Sequence, residues 1–150
     1  MARNTHVVAA AIVEREGRFL IVEERIDGQL RLNQPAGHWE PGETLIEAVR
    51  REALEESGWE VEPVAFLGTY AFQPPELDYG FLRFAFVCEP RRHDATRALD
   101  AGIERAVWLT REELVQKRAL HRSPALLACV DDYLSGRRFP LELVRHLGSR

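Results

Sequence analysis

The chain carries an unbroken apolar run near its start, Val7–Val13, made of Ala, Val and Ile. Continuous rather than alternating apolar character predicts a strand buried on both faces. Glu16-Gly17 forms a turn and Phe19–Val22 a second strand, so the two read as a hairpin. Asp27-Gly28 is a strong turn signal, with a short strand over Leu30–Leu32 after it. The period then changes. Residues 44–57 have helical character, with Thr44 and Glu47 spaced as a capping box and Gly58 where a left-handed C-terminal cap belongs. Val61–Tyr70 and Phe81–Cys88 read as strands separated by a Pro74-Pro75 loop, and Ala106–Leu109 as another short strand. Thr110 caps a short helix from Arg111 to about Gln116. Ser123-Pro124 opens a last helix that Gly136 ends, with Leu126, Leu127, Val130 and Leu134 as its apolar stripe. Strands around one embedded helix, with more helix at the C-terminus, predict an α/β class: a mixed β-sheet sandwiched between α-helices.

Composition narrows this picture without changing it. A chain of 150 residues, 45% hydrophobic and 29% charged, fits a single domain over 1–150 with a real core. A net charge of -4 argues against nucleic acid or an anionic membrane surface as a partner. Small anionic substrates stay open, because a bound cation inverts the local field. Cys88 and Cys129 form no CxxC or Cys/His cluster, so they read as two reduced thiols rather than zinc ligands. The segment Met1–Thr5 lacks the apolar run of a signal peptide, and Val7–Val13 is too short to span a membrane. The expectation is a cytoplasmic protein.

The embedded helix carries the chemistry. At roughly 100° per residue, Arg51, Glu52, Glu55 and Glu56 share one arc of about 140°. Ala48 lies in that arc and is small enough to leave room above it, while Ile46, Val49 and Ala53 form a core stripe beside it. Three carboxylates in one arc repel one another, and Arg51 offsets only part of that. The bland alternative is a solvated charged face. A divalent cation would instead turn the repulsion into coordination, and Mg2+, with Mn2+ as a substitute, prefers carboxylate and phosphate oxygen. Such a site suits water attack on phosphorus.

The stretch from Gly37 to Trp59 reads G-H-W-E-P-G-E-T-L-I-E-A-V-R-R-E-A-L-E-E-S-G-W. It closely resembles the signature of the Nudix hydrolase family, G-x5-E-x7-R-E-U-x-E-E-x-G-U, where U is bulky and apolar. Gly37, Glu43, Arg51, Glu52, Glu55, Glu56 and Gly58 match, whereas Ala53 and Trp59 depart mildly at positions that read as packing. Seven fixed letters at about one in fifteen each have a chance on the order of 10^-8 per register. The resemblance implies a Nudix fold over nearly the whole chain. It implies that the Gly37 carbonyl and Glu52, Glu55 and Glu56 hold metal, that Arg51 orients the glutamates, and that Glu43 supports the loop. Glu52 is the first choice of general base. Glu104, four residues before Trp108, resembles a downstream acid of the family and is the second.

Further segments, among them Asn33-Gln-Pro-Ala-Gly-His38, Phe81-Leu-Arg-Phe84 and Arg122-Ser-Pro124, resemble the NudJ-type branch of Nudix phosphatases. That branch implies action on nucleoside di- and triphosphates and thiamine-related pyrophosphates, with orthophosphate released. A sanitising triphosphate pyrophosphatase, an ADP-sugar hydrolase and a non-catalytic nucleotide-binding module are the alternatives. Candidate substrate contacts are Arg83, a charge on an otherwise apolar strand face that needs either phosphate or a salt bridge; Gln34 and His38; and the aromatics Trp39, Tyr70, Phe72 and Tyr79, which could stack on a ring or simply pack. The expected partner is a small-molecule pyrophosphate, with the chain a monomer or homodimer.

Overall fold

The computed structural model describes residues 4–148; Met1–Arg3, read above for a signal peptide, and Ser149–Arg150 lie outside the described residues. The apolar run forms the middle of β1, Thr5–Arg15, whose hairpin with β2, Arg18–Ile26, pairs Glu14 with Phe19. The turn between them needs positive φ at both Glu16 and Gly17, the two-residue pattern that suits the twist of paired strands. The chain continues as β3, Gln29–Asn33, and β4, Ala36–His38. Helix α1 spans Leu45–Ser57. Two long strands follow, β5, Trp59–Phe72, and β6, Gly80–His93, then β7, Ile103–Thr110. Helices α2, Arg111–Gln116, and α3, Ala125–Leu134, complete the order, with short 3-10 turns at Arg118–Leu120 and Leu141–Leu143.

The sheet is mixed. β1 runs parallel to β6 over Thr5–Val13, β5 lies antiparallel to β6, and β2 pairs antiparallel with β3 and β7. Strand alternation sends β1 side chains to two cores. Ala9, Ala11 and Val13 meet Ala48, Val49 and Ala53 of α1, while Ile12 packs with Leu126, Cys129 and Val130 of α3. The strand is buried on both faces because helices cover both sides of the sheet.

The predicted elements are present, the strands longer than the sequence pattern suggested. β4 has no counterpart among the predicted elements. Two placements differ from expectation. Ala48 is fully buried rather than open above the acids, because that side of α1 turns toward the sheet. Leu134 is 53% exposed, because the face of α3 that meets the core is Leu126, Cys129, Val130 and Tyr133, and Leu134 falls to one side of it. Ser123 caps α3 in the expected way: its Oγ accepts from Ala125 N at 3.2 Å, with Pro124 already helical as the first residue of the turn.

Candidate active site

The acids are placed by the start and finish of α1. Thr44 Oγ1 accepts from Glu47 N at 3.0 Å while the Glu47 carboxylate accepts from Thr44 N at 2.8 Å, the reciprocal capping box. Gly58, at φ 76°, ends the helix with its N–H on the Leu54 carbonyl. The acidic side of α1 lies against β4, which pairs with Val8–Ala10 of β1. A Cβ added at Gly37 would fall inside the carboxyl group of Glu52, so only glycine allows that carboxylate against the strand backbone. One residue earlier, Ala36 N donates to Glu56 Oε1 at 3.0 Å. Two consecutive residues of a three-residue strand thus fix two acids.

Arg51 organises the rest. Nε and Nη2 donate to the two oxygens of Glu43 at 3.0 and 2.7 Å, Nη1 to Glu52 at 2.7 Å and Glu55 at 3.1 Å, and Nη2 also to the His38 carbonyl at 3.0 Å. All five donors of the guanidinium are used. The bidentate bond from Arg51 holds the Glu43 carboxyl below its ordinary range. Glu52 and Glu56 go the other way. Burial raises Glu52 despite its bond to Arg51. Burial pushes Glu56 up to about 8, against the Ala36 hydrogen bond and with the charges of Glu52, Glu24 and Asp100 adding to it. Oxygens of Glu52, Glu55 and Asp100 lie within 4.8 Å of one another. Asp100 is brought there by its own N–H, which donates to the Glu55 carbonyl at 3.0 Å. A converging set of carboxylate oxygens, short of positive charge and set beside a glycine backbone, fits a hard divalent ion.

Asp100 was not among the residues singled out from the sequence. The downstream acid that was, Glu104, is exposed and hydrogen-bonded to Arg25 at 2.7 Å, and it is not one of the three converging carboxylates. An Asp at the end of a loop carries no local signal of the helix it will meet.

A cavity of about 860 Å³ opens beside these acids. Gly37, His38, Glu52, Glu56, Phe72, Tyr79 and Arg83 stand on its wall. The His38 ring shares a hydrogen bond with His6 at 2.7 Å, and burial, helped by His6 and Arg122, lowers its pKa. Tyr79 stacks on His6 and Phe72 on Phe81, with ring centroids 4.5 and 5.3 Å apart. Trp39, Tyr70 and Gln34 are not on that wall. The Trp39 indole donates to the Glu43 carbonyl at 2.7 Å and braces the loop before α1. Tyr70 lies two residues deeper along β5 than Phe72, where α3 covers the sheet, and donates to Asp132 at 2.6 Å. Gln34 is buried behind the wall and accepts from Arg83 at 2.6 Å.

A NUDIX domain model matches residues 3–128. Phosphatase NudJ of Escherichia coli (strain K12) is 41% identical over 139 residues, covering 93% of this chain and 90% of the relative. The protein of the same description from Shigella flexneri matches equally. A solved NUDIX hydrolase from Nitrosomonas europaea superposes with a TM-score of 0.94 at 40% identity, covering 97% of this chain and all of that one. A MutT NUDIX hydrolase from Burkholderia pseudomallei superposes at TM-score 0.72 with 19% identity over 87% of this chain and 98% of that one, a likeness of fold alone.

Proposed function

The chain belongs to the Nudix family and is a hydrolase; from that premise we propose that it is a magnesium-dependent pyrophosphohydrolase, with water attacking a phosphoanhydride. The observation that carries this reading is the convergence of Glu52, Glu55 and Asp100 oxygens within 4.8 Å, beside a glycine whose missing side chain makes room for Glu52. Glu52, Glu55, Glu56 and the Gly37 carbonyl would hold Mg2+, or Mn2+ in its place, with Asp100 as a further oxygen donor. When bound, the ion supplies Lewis acidity to the phosphoryl group and lowers the pKa of the attacking water. Arg51 holds Glu52 and Glu55 in register, and Glu43 fixes Arg51 through its bidentate pair. Glu52 is the proposed base, being both buried and raised above the ordinary carboxylate range. Tyr79, Phe72 and His38 would line the ring end of the substrate.

The phosphatase description of the NudJ relatives supports orthophosphate as product; nucleoside di- and triphosphates and thiamine-related pyrophosphates are the substrates we propose. The protein is proposed to act as one domain, monomeric or homodimeric, in the cytoplasm. A hydrolysis panel with Mg2+ tests the reading. It compares wild type with the double variant Glu55→Gln, Glu56→Gln on nucleoside di- and triphosphates, hydroxymethylpyrimidine pyrophosphate, thiamine pyrophosphate and ADP-ribose, with orthophosphate and pyrophosphate counted separately. Orthophosphate release that the double variant loses is the expected result. Pyrophosphate from triphosphates alone would make it a sanitising enzyme, and turnover of ADP-ribose alone a sugar hydrolase. No turnover with metal binding intact would sink the catalytic reading.

A further inference from the structure

Two arginines flank the cavity acids and are treated in opposite ways. Arg51 gives all five of its N–H groups to acceptors, three of them carboxylates. Arg83, only 2% exposed on β6, has no carboxylate partner among the described residues. Its Nη1 donates to Gln34 Oε1 at 2.6 Å and, at the longer reach of sulfur, to Cys129 Sγ at 3.9 Å. Its Nη2 donates to Asn33 Oδ1 at 2.8 Å. Two of five donors remain: the second N–H of Nη2, and Nε, which is buried with no partner at all.

A permanent cation, buried among neutral acceptors with a donor unmet, is a costly arrangement for a purely structural residue. The remedy lay close at hand. Asn33 accepts twice through Oδ1, from Arg83 and from Gln34 N at 3.0 Å, and an aspartate there would keep both bonds and neutralise the charge. The neutral amides instead fix the guanidinium plane and leave its charge open. Gln34 is itself fixed, its Nε2 donating to the Leu126 carbonyl of α3 at 2.8 Å. The unmet donors sit on adjacent nitrogens of a planar fork whose chemistry suits phosphate oxygens. Arg83 reaches the cavity from the sheet face under α3, whereas Glu52 and Glu56 reach it from α1.

We propose that Arg83 is an anion anchor for the phosphoryl group of the substrate that lies away from the α1 carboxylates, with Asn33 and Gln34 as positioning residues that orient it without neutralising it. That the anion is part of a pyrophosphate rather than free phosphate rests on the functional reading above. The anchor itself rests on the donor count and the burial.

The test is binding measured in EDTA by calorimetry, without turnover, for wild type, Asn33→Asp and Arg83→Gln, using methylenediphosphonate and inorganic phosphate as probes. Asn33→Asp is expected to fold with an equal or higher Tm and to bind the diphosphonate about tenfold or more weakly. In the magnesium assay the same variant raises KM more than it lowers kcat. Arg83→Gln shows the same loss, and should it fail to fold, Asn33→Asp decides alone. Diphosphonate binding unchanged in Asn33→Asp, or absent in wild type, overturns the anchor. Inorganic phosphate binding as tightly as the diphosphonate overturns its assignment to a substrate pyrophosphate. A protein that hydrolyses nothing yet loses the diphosphonate in Asn33→Asp would sink the enzyme reading and leave the anchor standing.

Discussion

Gly37 is where a single atom decides the geometry of the acids. A Cβ there would overlap the Glu52 carboxyl, so Gly37→Ala must displace either that side chain or β4. Misplacing a catalytic group by about an ångström costs on the order of a hundredfold in rate. Gly37→Ala is therefore expected to lose roughly that factor in magnesium-dependent kcat with little change in Tm, as read by steady-state kinetics and a melt; wild-type kinetics would mean that Glu52 need not sit against β4. The letter was legible in the sequence, as part of a motif, but its reason was not, because the group it makes room for is fifteen positions further along the chain. The downstream acid shows the limit more sharply. Asp100 and Glu104 are two acids four residues apart, and local pattern does not rank them. The ranking is made by tertiary contacts, the Asp100 N–H on the Glu55 carbonyl and the Arg25 pair that occupies Glu104. Asp100→Asn should accordingly raise the magnesium concentration for half-maximal activity more than Glu104→Gln does. The reverse order in a magnesium titration would return the role to Glu104.

At the level of elements, α1 was readable nearly to the residue because its signals are local: a capping box at one end, a glycine at φ 76° at the other, and a helical stripe between. Those signals also make it separable from the chemistry. Thr44→Ala removes the Oγ1 acceptor of Glu47 N and is expected to cost about 1 kcal/mol of stability, measured by urea unfolding. Magnesium affinity should stay close to wild type, since the acids lie two or more turns away; a parallel loss of affinity would mean that the whole helix shifts when its cap is lost. β4 illustrates the opposite case. Three residues are too few to show a period, and Ala-Gly-His has no strand propensity. The strand exists because Val8–Ala10 of β1 offers it a pairing edge, an interaction invisible to any local window. The end of α3 differs for a related reason: tertiary packing sets the buried face as Leu126, Cys129, Val130 and Tyr133, which leaves Leu134 to one side of it.

The whole molecule must fold around carboxylates that repel one another, and this sets its response to pH and metal. Glu56 titrates at about 8 in the folded chain against an ordinary 4.5, with burial as the main cause. A group raised on folding contributes stability that is complete below its unfolded pKa and disappears as pH rises through the folded one. The shift corresponds to roughly 5 kcal/mol at most, at about 1.4 kcal/mol per unit. Glu52, raised in the same direction, adds to this alkaline loss. On the acid side the lowered Glu43 acts oppositely, its contribution disappearing as pH falls through its folded pKa, below the ordinary value. Metal-free protein should thus lose melting temperature steadily from about pH 5 to about pH 9, and Glu56→Gln, which keeps an acceptor for Ala36 N and carries no charge, should flatten that slope. Magnesium must displace the Glu56 proton below about pH 8, so the stabilisation it adds should grow with pH in wild type. Melts in EDTA and in magnesium across that range measure both effects. An equally steep metal-free slope in Glu56→Gln would show that the alkaline loss comes from elsewhere, whereas a flattened slope with weakened magnesium stabilisation would tie the metal site and the pH response to the same carboxylate.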